Sequence, residues 1–363
     1  MPIQSKNARQ QKKQVEIDNL SLGILISLLA ILLVIVIVAI TYYFVAAFDP
    51  ADFSFNSGNV TENETPSAKV NYPYKQNITV SIEPANDDDT ITVPIKNVTS
   101  QHAALIDLTE GKVIAAKGSS SLIYPASMTK VMTLIIIAEN LPNEQALDTL
   151  LEIKYPYDGQ SGFGFKVGEK VSVRDLIYAA VLQSDGVACQ TLADFIAGSE
   201  KKFVELMNGK VKALGLLEGD GENTPSTLFQ NCTGIHHDLH YTTAYDLGVI
   251  MAYAMKNDFC ANVLTTVGYK ATSNFREGGP FTFWSNFMHE YLSDGNVQPS
   301  TAKILGGKTG WTGKISGHCI VSYAQGKDGH EYILVTAEAL SDTGEGKLRA
   351  KEDTLYIYNT YLK

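Results

Sequence analysis

Cysteine is scarce in this sequence, and the few cysteines lie far apart. The chain of 363 residues has 4 of them, at Cys189, Cys232, Cys260 and Cys319, with no C-x-x-C pair. This spacing lacks the signature of a zinc site, and a domain of this size does not depend on a disulfide framework. We therefore expect the cysteines to be small core residues.

A surplus of basic residues is also missing. Lys and Arg number 29 against 39 Asp and Glu, which gives a net charge of −10 and argues against a nucleic-acid partner. The 45% of hydrophobic and 19% of charged residues are ordinary for a globular protein. The length allows one large domain with extensions, or two domains.

One apolar stretch near the N-terminus is long enough to cross a membrane. Residues 20–48 contain no charged side chain and are dense in Leu, Ile and Val. As a helix they would exceed the ~30 Å hydrocarbon core of a bilayer. Basic residues precede this stretch, at Lys6, Arg9, Lys12 and Lys13, whereas Asp49 follows it. This asymmetry places the N-terminus in the cytoplasm and the chain after residue 48 outside.

A cleaved signal peptide, cut after Val45-Ala46-Ala47, is the alternative for this segment. The apolar region of a signal peptide is about 7–15 residues, roughly half the length found here, so the pattern favours an uncleaved anchor. We predict four parts: a cytoplasmic tail over 1–19, a transmembrane helix over 20–48, a polar extracytoplasmic linker over 49–98 and a folded domain over 99–363. Alternating apolar residues at 78–82 and 91–95 predict a small hairpin inside the linker.

The predicted domain has strand patterns at both ends and helical patterns between them. Two apolar runs around Thr109-Glu110-Gly111 predict a hairpin. Three later strands are predicted within 301–313, 317–325 and 330–340. Helices are predicted over 127–140, 173–196, 201–214, 242–256 and 355–362. This order predicts an α+β fold, in which one antiparallel sheet places the first hairpin beside the last strands and carries helices on both faces.

A serine and a lysine three residues apart, Ser127 and Lys130, form a candidate nucleophile and base. The same spacing recurs at Ser199/Lys202 and Ser300/Lys303, so alone it also fits a capped helix start. Only the first pair is followed in order by Ser184-Asp185-Gly186 and then by Lys308-Thr309-Gly310. In the last motif, a lysine and a hydroxyl on one strand edge can bind a carboxylate, and the glycine lets a ligand approach the backbone.

This ordered set resembles the signature of the penicillin-recognising serine enzymes. Longer blocks extend the resemblance, among them "NVTSQHAALIDLTEGKVIAAKGSSSLIYPASMTKVMT", "FKVGEKVSVRDLIYAAVLQSDGVACQTLAD" and "ILGGKTGWTGKISGHCIVSYA". These blocks are similar to the D-alanyl-D-alanine carboxypeptidases, which are low-molecular-mass penicillin-binding proteins, over about residues 100–363. The resemblance implies a serine β-lactamase/D,D-peptidase-like fold with a helical subdomain ahead of the last three strands.

By this resemblance, Ser127 is the nucleophile that becomes acylated and Lys130 is the base that removes its proton. Ser184 would relay a proton between Lys130 and the leaving amine. A lysine acts as a base only when it is neutral, so burial and a nearby cation such as Lys308 are expected to lower the pKa of Lys130.

The resemblance also implies how substrate is held. Lys308 and Thr309 would bind its terminal carboxylate, and the backbone N–H groups of Ser127 and Trp311, the residue after Gly310, would form the oxyanion hole. The implied substrate is a peptidoglycan stem peptide ending in D-Ala-D-Ala, and β-lactams are implied inhibitors. No metal and no other cofactor is expected.

The middle motif departs from the family pattern, because Gly186 stands where the family usually has Asn. The missing amide removes a hydrogen bond worth about 1.5–3 kcal/mol, or roughly ten- to a hundred-fold in rate if nothing compensates. The sequence keeps the candidate nucleophile and base and the two residues that would bind the carboxylate, Lys308 and Thr309, so activity is still expected. A non-catalytic sensor or binding module with the same fold is the main alternative.

Two other enzyme classes are weaker alternatives. A class A β-lactamase needs a deacylating Glu-x-x-Leu-Asn, and the nearest match, Glu205-Leu206-Met207-Asn208, lies in a predicted amphipathic helix. A metallopeptidase could use the cluster His236, His237, Asp238 and His240. That segment reads as a loop, however, so surface and packing roles explain these histidines better.

Overall fold

The computed structural model describes residues 76–86, 92–156, 162–216, 226–292, 297–340 and 346–362. The chain divides into two compact units, Met1–Thr65 and Pro66–Lys363, and every described residue lies in the second. The predicted tail over 1–19, the predicted transmembrane helix over 20–48 and most of the predicted linker fall outside the described residues. No helix in the described ranges combines the length and the apolar character needed to span a bilayer.

A six-stranded sheet in the order β1-β3-β2-β12-β11-β10 forms the centre of the described unit. Its strands are β1 (Val93–Pro94), β2 (His102–Asp107), β3 (Lys112–Lys117), β10 (Ala302–Trp311), β11 (His318–Gly326) and β12 (Glu331–Ala339). β2 pairs with both β3 and β12 in antiparallel fashion, so the prediction that the first hairpin lies beside the last strands is confirmed. β10 is left as the edge strand opposite β1.

The last part of the predicted linker contacts this sheet. β1 pairs with β3 in parallel through Val93↔Ala115, and Glu83 forms a parallel bridge with Lys112. Both segments carry a buried isoleucine, Ile82 and Ile95. The two predicted hairpin arms are therefore not paired with each other in the described residues, because each finds backbone partners on β3.

Helices cover both faces of the sheet. They are α1 (Lys130–Asn140), α2 (Val173–Leu182), α3 (Gly186–Ala197), α4 (Glu200–Ala213), α5 (Ala244–Met255), α6 (Asp258–Thr265), α7 (Asn286–Leu292) and α8 (Gly346–Tyr361). α1 and α5 are apolar on nearly every side and belong to the larger of two core clusters, as expected of helices enclosed by protein. Residues of α8 pack in the smaller cluster.

The predicted helical stretch over 173–196 consists of two helices, not one. α2 ends at Leu182 and α3 begins at Gly186. Ser184, between them, has φ 59, a left-handed conformation that no α-helix can continue through. Asp185 then caps α3, because its side chain accepts a hydrogen bond from Ala188 N.

Short elements between the main ones were not predicted. They are the strands β4 (Leu122–Ile123), β5 (Leu150–Glu152), β6 (Lys170–Ser172), β7 (Thr242–Thr243), β8 (Gly268–Lys270) and β9 (Thr282–Trp284), with 3-10 turns at Ala126–Thr129 and Glu144–Asp148. The strands pair as β4–β7, β5–β6 and β8–β9. All four cysteines are buried and free, which confirms their predicted role as core residues.

Candidate active site

Ser127 lies in a 3-10 turn, Ala126–Thr129, that leads into α1. The predicted helix start at Ser127 is thus a tighter turn followed by the α-helix. Ala126 has φ 48, a strained value for a residue with a side chain. Such strain persists only where surrounding contacts enforce it.

Two glycines allow neighbouring segments to enforce that turn. A Cβ on Gly310 of β10 would lie 2.7 Å from Pro125 O, and one on Gly234 would lie 1.9 Å from Ala126 O. Gly234 also has φ 85, which favours glycine. The turn is therefore held between the edge strand β10 and the loop that contains Gly234.

Lys130 lies one turn after Ser127 and faces it. Lys130 Nζ is 3.0 Å from Ser127 Oγ and donates a 2.6 Å hydrogen bond to Thr233 O. The lysine is only 3% exposed. A nucleophile and a base within about 2.6–3.2 Å of each other is the arrangement that general-base activation requires.

A second pair joins the middle motif to the edge strand. Lys308 Nζ lies 3.0 Å from Ser184 Oγ and also donates to Thr309 O at 2.9 Å. Lys308 and Ser184 are both buried. The left-handed backbone at Ser184 turns its hydroxyl towards this ammonium instead of continuing α2.

The two pairs meet near the beginning of α3. A Cβ on Gly186, the first residue of α3, would lie 3.7 Å from Thr233 Cγ2, and the Thr233 carbonyl accepts from Lys130, while Ser184, two residues before Gly186, binds Lys308. Burial raises the pKa of the Cys189 thiol on α3 to about 11. Burial also raises the pKa of Asp185, against hydrogen bonds from Ala188 N and Phe163 N. The structure thus brings Ser127, Lys130, Ser184 and Lys308 into one site.

Along β10, the remaining predicted residues follow Lys308 directly. Thr309 is half-buried, Gly310 is buried, and Trp311 is 60% exposed. Side chains alternate between the two faces of a strand, so Thr309 and Trp311 share a face. This end of β10 therefore presents, in order, the Thr309 hydroxyl, a backbone at Gly310 that a ligand can approach closely, and the exposed Trp311 indole.

Sequence reasoning missed several residues that support the site. Asn231 Oδ1 accepts hydrogen bonds from Thr233 N at 3.2 Å and Gly234 N at 2.7 Å, and this places Thr233 O against Lys130. Asp185 Oδ2 accepts from Phe163 N at 2.8 Å and ties the middle motif to that loop. An Asn two or three residues before a Gly is a turn signal that would have indicated the first of these.

The other two Ser-x-x-Lys matches have structural roles. Ser199 caps α4 by accepting a 3.3 Å hydrogen bond from Lys202 N. Ser300 is bound by Asn359, whose Oδ1 accepts from Ser300 N at 2.6 Å. The order of motifs therefore selected the serine that lies beside a lysine side chain.

The residues behind the weaker alternatives also have structural roles. His240 is buried, with Nε2 2.8 Å from Thr129 Oγ1 in the turn of Ser127. In the described part of the chain, no group of three or more His, Cys, Asp or Glu is placed to hold a metal ion. Asn208, in the match Glu205-Leu206-Met207-Asn208, lies on α4 and its Nδ2 donates to Phe229 O at 3.0 Å.

Solved structures with the same fold define the class. A variant of the K15 DD-transpeptidase from Streptomyces matches with a TM-score of 0.59 and 27% identity, over 74% of this chain and 100% of that one. Penicillin binding protein 5 from Haemophilus influenzae matches in fold with a TM-score of 0.58 and 22% identity, over 72% and 71% of the two chains. The described unit thus has the α+β fold of the penicillin-binding D,D-peptidases.

The family of this chain follows from its sequence relatives. The D-alanyl-D-alanine carboxypeptidase family matches residues 88–341, and the chain belongs to this family. It is 29% identical to D-alanyl-D-alanine carboxypeptidase DacF of Bacillus subtilis over 62% of this chain and 54% of that protein. It is 32% identical to DacC of Escherichia coli over 44% and 40%. The chain therefore spans about half the length of these curated relatives.

Proposed function

We propose that this protein is a serine D,D-carboxypeptidase that removes the terminal D-Ala from peptidoglycan stem peptides ending in D-Ala-D-Ala. The observation that carries the proposal is the double serine–lysine contact. Lys130 Nζ lies 3.0 Å from Ser127 Oγ, and Lys308 Nζ lies 3.0 Å from Ser184 Oγ. Family membership supplies the substrate class, since the relatives are named as D-alanyl-D-alanine carboxypeptidases.

Acylation begins at Ser127 with Lys130 in its neutral form. A neutral amine keeps one lone pair, so Nζ can accept the Ser127 proton while still donating to Thr233 O. Ser127 Oγ attacks the carbonyl carbon between the two D-Ala residues. The N–H groups of Ser127 and Trp311 stabilise the resulting oxyanion.

Collapse of this intermediate breaks the peptide bond and leaves an ester on Ser127. The leaving amine of D-Ala needs one proton, which passes from Lys130 through the Ser184 hydroxyl. Water then attacks the ester, with Lys130 as base, and releases the shortened peptide. β-Lactams would acylate Ser127 by the same route and would therefore inhibit the enzyme.

Lys308 and Thr309 bind the carboxylate of the departing D-Ala in this proposal. The Lys308 ammonium is held by Ser184 Oγ and by Thr309 O, so its position is fixed before substrate arrives. A fixed ammonium beside a threonine hydroxyl suits a terminal carboxylate, which gains charge-assisted hydrogen bonds.

Although position 186 lacks a side chain, Lys130 keeps another contact that positions it. Thr233 O accepts from Lys130 Nζ at 2.6 Å, and a Cβ on Gly186 would lie 3.7 Å from Thr233 Cγ2. The carbonyl of Thr233 thus supplies an acceptor for Lys130 beside the space left by the missing side chain. We propose that it offsets part of the loss of the family's usual amide.

We further propose that residues 20–48 anchor the protein in the cell membrane of a bacterium, with residues 1–19 in the cytoplasm and the catalytic domain outside. The support is the uncharged apolar stretch and the basic residues that precede it. Residues 49–98 would link the anchor to the catalytic domain over 99–363, with the contacts at Ile82 and Ile95 extending that domain into the linker.

D-Ala release by the full-length protein in detergent tests the activity. Wild-type protein should release D-Ala from a stem pentapeptide and be labelled covalently by a fluorescent penicillin. Ser127→Ala should lose both, whereas Ser199→Ala, at the control Ser-x-x-Lys, should keep both. D-Ala release that persists in Ser127→Ala would refute the mechanism, and labelling without release would identify a sensor.

A further inference from the structure

We infer that the Trp311 side chain is a specificity-determining platform for the substrate residue that precedes the D-Ala-D-Ala pair. The inference rests on the proposed function, in which Trp311 contributes only its backbone N–H. That role requires no particular side chain, yet the chain places here one of its 2 tryptophans, with the residue 60% exposed. Beside the site, the open indole offers a substrate a flat apolar surface with a polar N–H at its edge.

The imidazole of His318 packs against one face of the Trp311 indole. The two residues face each other in the β10–β11 register, and their rings stack with centroids 5.8 Å apart at 20°. Burial lowers the pKa of His318, and the nearby Lys347 charge acts in the same direction. The imidazole is therefore neutral at physiological pH, and it supports one face of an indole that remains largely open.

The position of Trp311 along β10 determines which substrate residue it meets. β10 is an edge strand, and an extended peptide can lie along it. With its carboxylate at Thr309 and the scissile carbonyl at the Trp311 N–H, such a peptide continues past Trp311. The preceding residue then lies level with the indole, since strands advance about 3.3 Å per residue.

The chemistry of the open indole selects a long aliphatic side chain at that substrate position. Methylene groups can lie flat on the ring and remove apolar surface from water. A terminal ammonium would add attraction to the ring face. Glycine at the same position would leave the indole uncovered, so the platform separates substrates by the residue preceding D-Ala-D-Ala.

Three acetylated peptides test this selection by steady-state D-Ala release. They share the D-Ala-D-Ala end and carry lysine, norleucine or glycine before it. Trp311→Ala should lower kcat/KM about tenfold for the lysine and norleucine peptides and less than twofold for the glycine peptide. Trp311→Phe should fall between wild type and Trp311→Ala.

Trp284→Ala is the matched control. Trp284 is also exposed, at 53%, but its indole lies over Gly268 on the β8–β9 hairpin, where a Cβ would be 2.6 Å from Cζ3. Removing it should leave the ratio of kcat/KM between the lysine and glycine peptides unchanged. Comparing ratios within one variant also cancels any loss of folded enzyme.

Fluorescence gives a second readout that does not need catalysis. In the double variant Ser127→Ala, Trp284→Phe, Trp311 is the sole tryptophan, and titration with the lysine peptide should shift or quench its emission. The inference is overturned if Trp311→Ala slows all three peptides alike or none of them, or if saturating lysine peptide leaves the emission unchanged. Absence of D-Ala release by wild type would instead refute the proposed activity, while the titration would still report binding at Trp311.

Discussion

The imidazole of His240 lies against Thr129, with Nε2 2.8 Å from Thr129 Oγ1, inside the turn that carries Ser127. Its other nitrogen, Nδ1, accepts a 3.2 Å hydrogen bond from Gln230 N. A backbone N–H can only donate, so Nδ1 carries no proton and the neutral Nε2–H form is the one that fits. The site is built on a histidine that must stay uncharged.

We predict that His240 makes stability fall in mild acid. Burial lowers the pKa of His240 to about 4, and His237 and His236 act in the same direction. The unfolded chain, with a histidine pKa near 6.5, takes up this proton first. The contribution of the neutral imidazole to the free energy of unfolding is fully present above pH 6.5. It is lost as pH falls towards 4, by up to about 3 kcal/mol.

Urea unfolding of wild type and His240→Gln between pH 4.5 and 7.5 measures this contribution. Glutamine does not titrate, so the free energy of unfolding of His240→Gln should fall less on acidification than that of wild type. The gap between the two free energies of unfolding should narrow as pH falls. A gap that is constant across this range would contradict the assignment of the neutral imidazole.

Two glycines near the turn that carries Ser127 are predicted to respond oppositely to added side chains. Gly186→Asn should fold, because its Cβ would meet only Thr233 Cγ2 at 3.7 Å, and it should raise kcat/KM for D-Ala release by up to about tenfold. Gly234→Ala should abolish activity, because its Cβ would lie 1.9 Å from Ala126 O. D-Ala release and the urea midpoint check both variants. A stable, active Gly234→Ala would show that this contact does not hold the turn.

Much of the site was predictable because its residues form ordered motifs on predictable elements. The apolar run after Lys130 indicates a helix, and the segments 301–313, 317–325 and 330–340 indicate strands. Ser127, the proposed nucleophile, was separated from Ser199 and Ser300 only by the motifs that follow it. The placement of the first hairpin beside the last strands could be predicted because few arrangements of these elements bury every apolar face.

What the sequence did not reveal depends on contacts between distant segments. The break at Ser184 interrupts a continuous apolar period, so the period alone predicts one helix, whereas tertiary contacts at Lys308 and Phe163 favour the break. Thr233 acts through its carbonyl, which every residue possesses, so no side-chain pattern indicates it. The pairing of Val93 with β3 likewise depends on an edge partner that lies further along the chain.

Asp175 is predicted to be a large single contributor to stability. Its carboxylate accepts from Tyr269 Oη at 2.7 Å, Thr272 N at 3.0 Å and Ser273 N at 2.7 Å, and it is fully buried. Asp175→Ala would leave these donors without an acceptor and should cost about 3–5 kcal/mol of unfolding free energy.

Asp148→Ala is the control for that measurement. Asp148 forms an ion pair with Arg174 at 3.2 Å, but its side chain is 74% exposed. Exposed pairs contribute about 0–1 kcal/mol, so this variant should unfold at nearly the wild-type urea concentration. Equal losses in Asp175→Ala and Asp148→Ala would mean that the buried network contributes no more than a surface pair.

The ion pair of Glu139 and Lys210 should show strong coupling between its two members. Lys210 Nζ lies 2.6 Å from Glu139 Oε2, with side-chain exposures of 16% and 6%, and Tyr253 Oη donates to the same carboxylate. Lys210→Met would leave the carboxylate buried without its cation, at a cost of about 3–5 kcal/mol. Adding Glu139→Leu removes the unpaired charge, so the double variant should be more stable than Lys210→Met. Urea unfolding of the four proteins of this cycle gives the coupling energy, and additive losses would show that the two charges do not depend on each other.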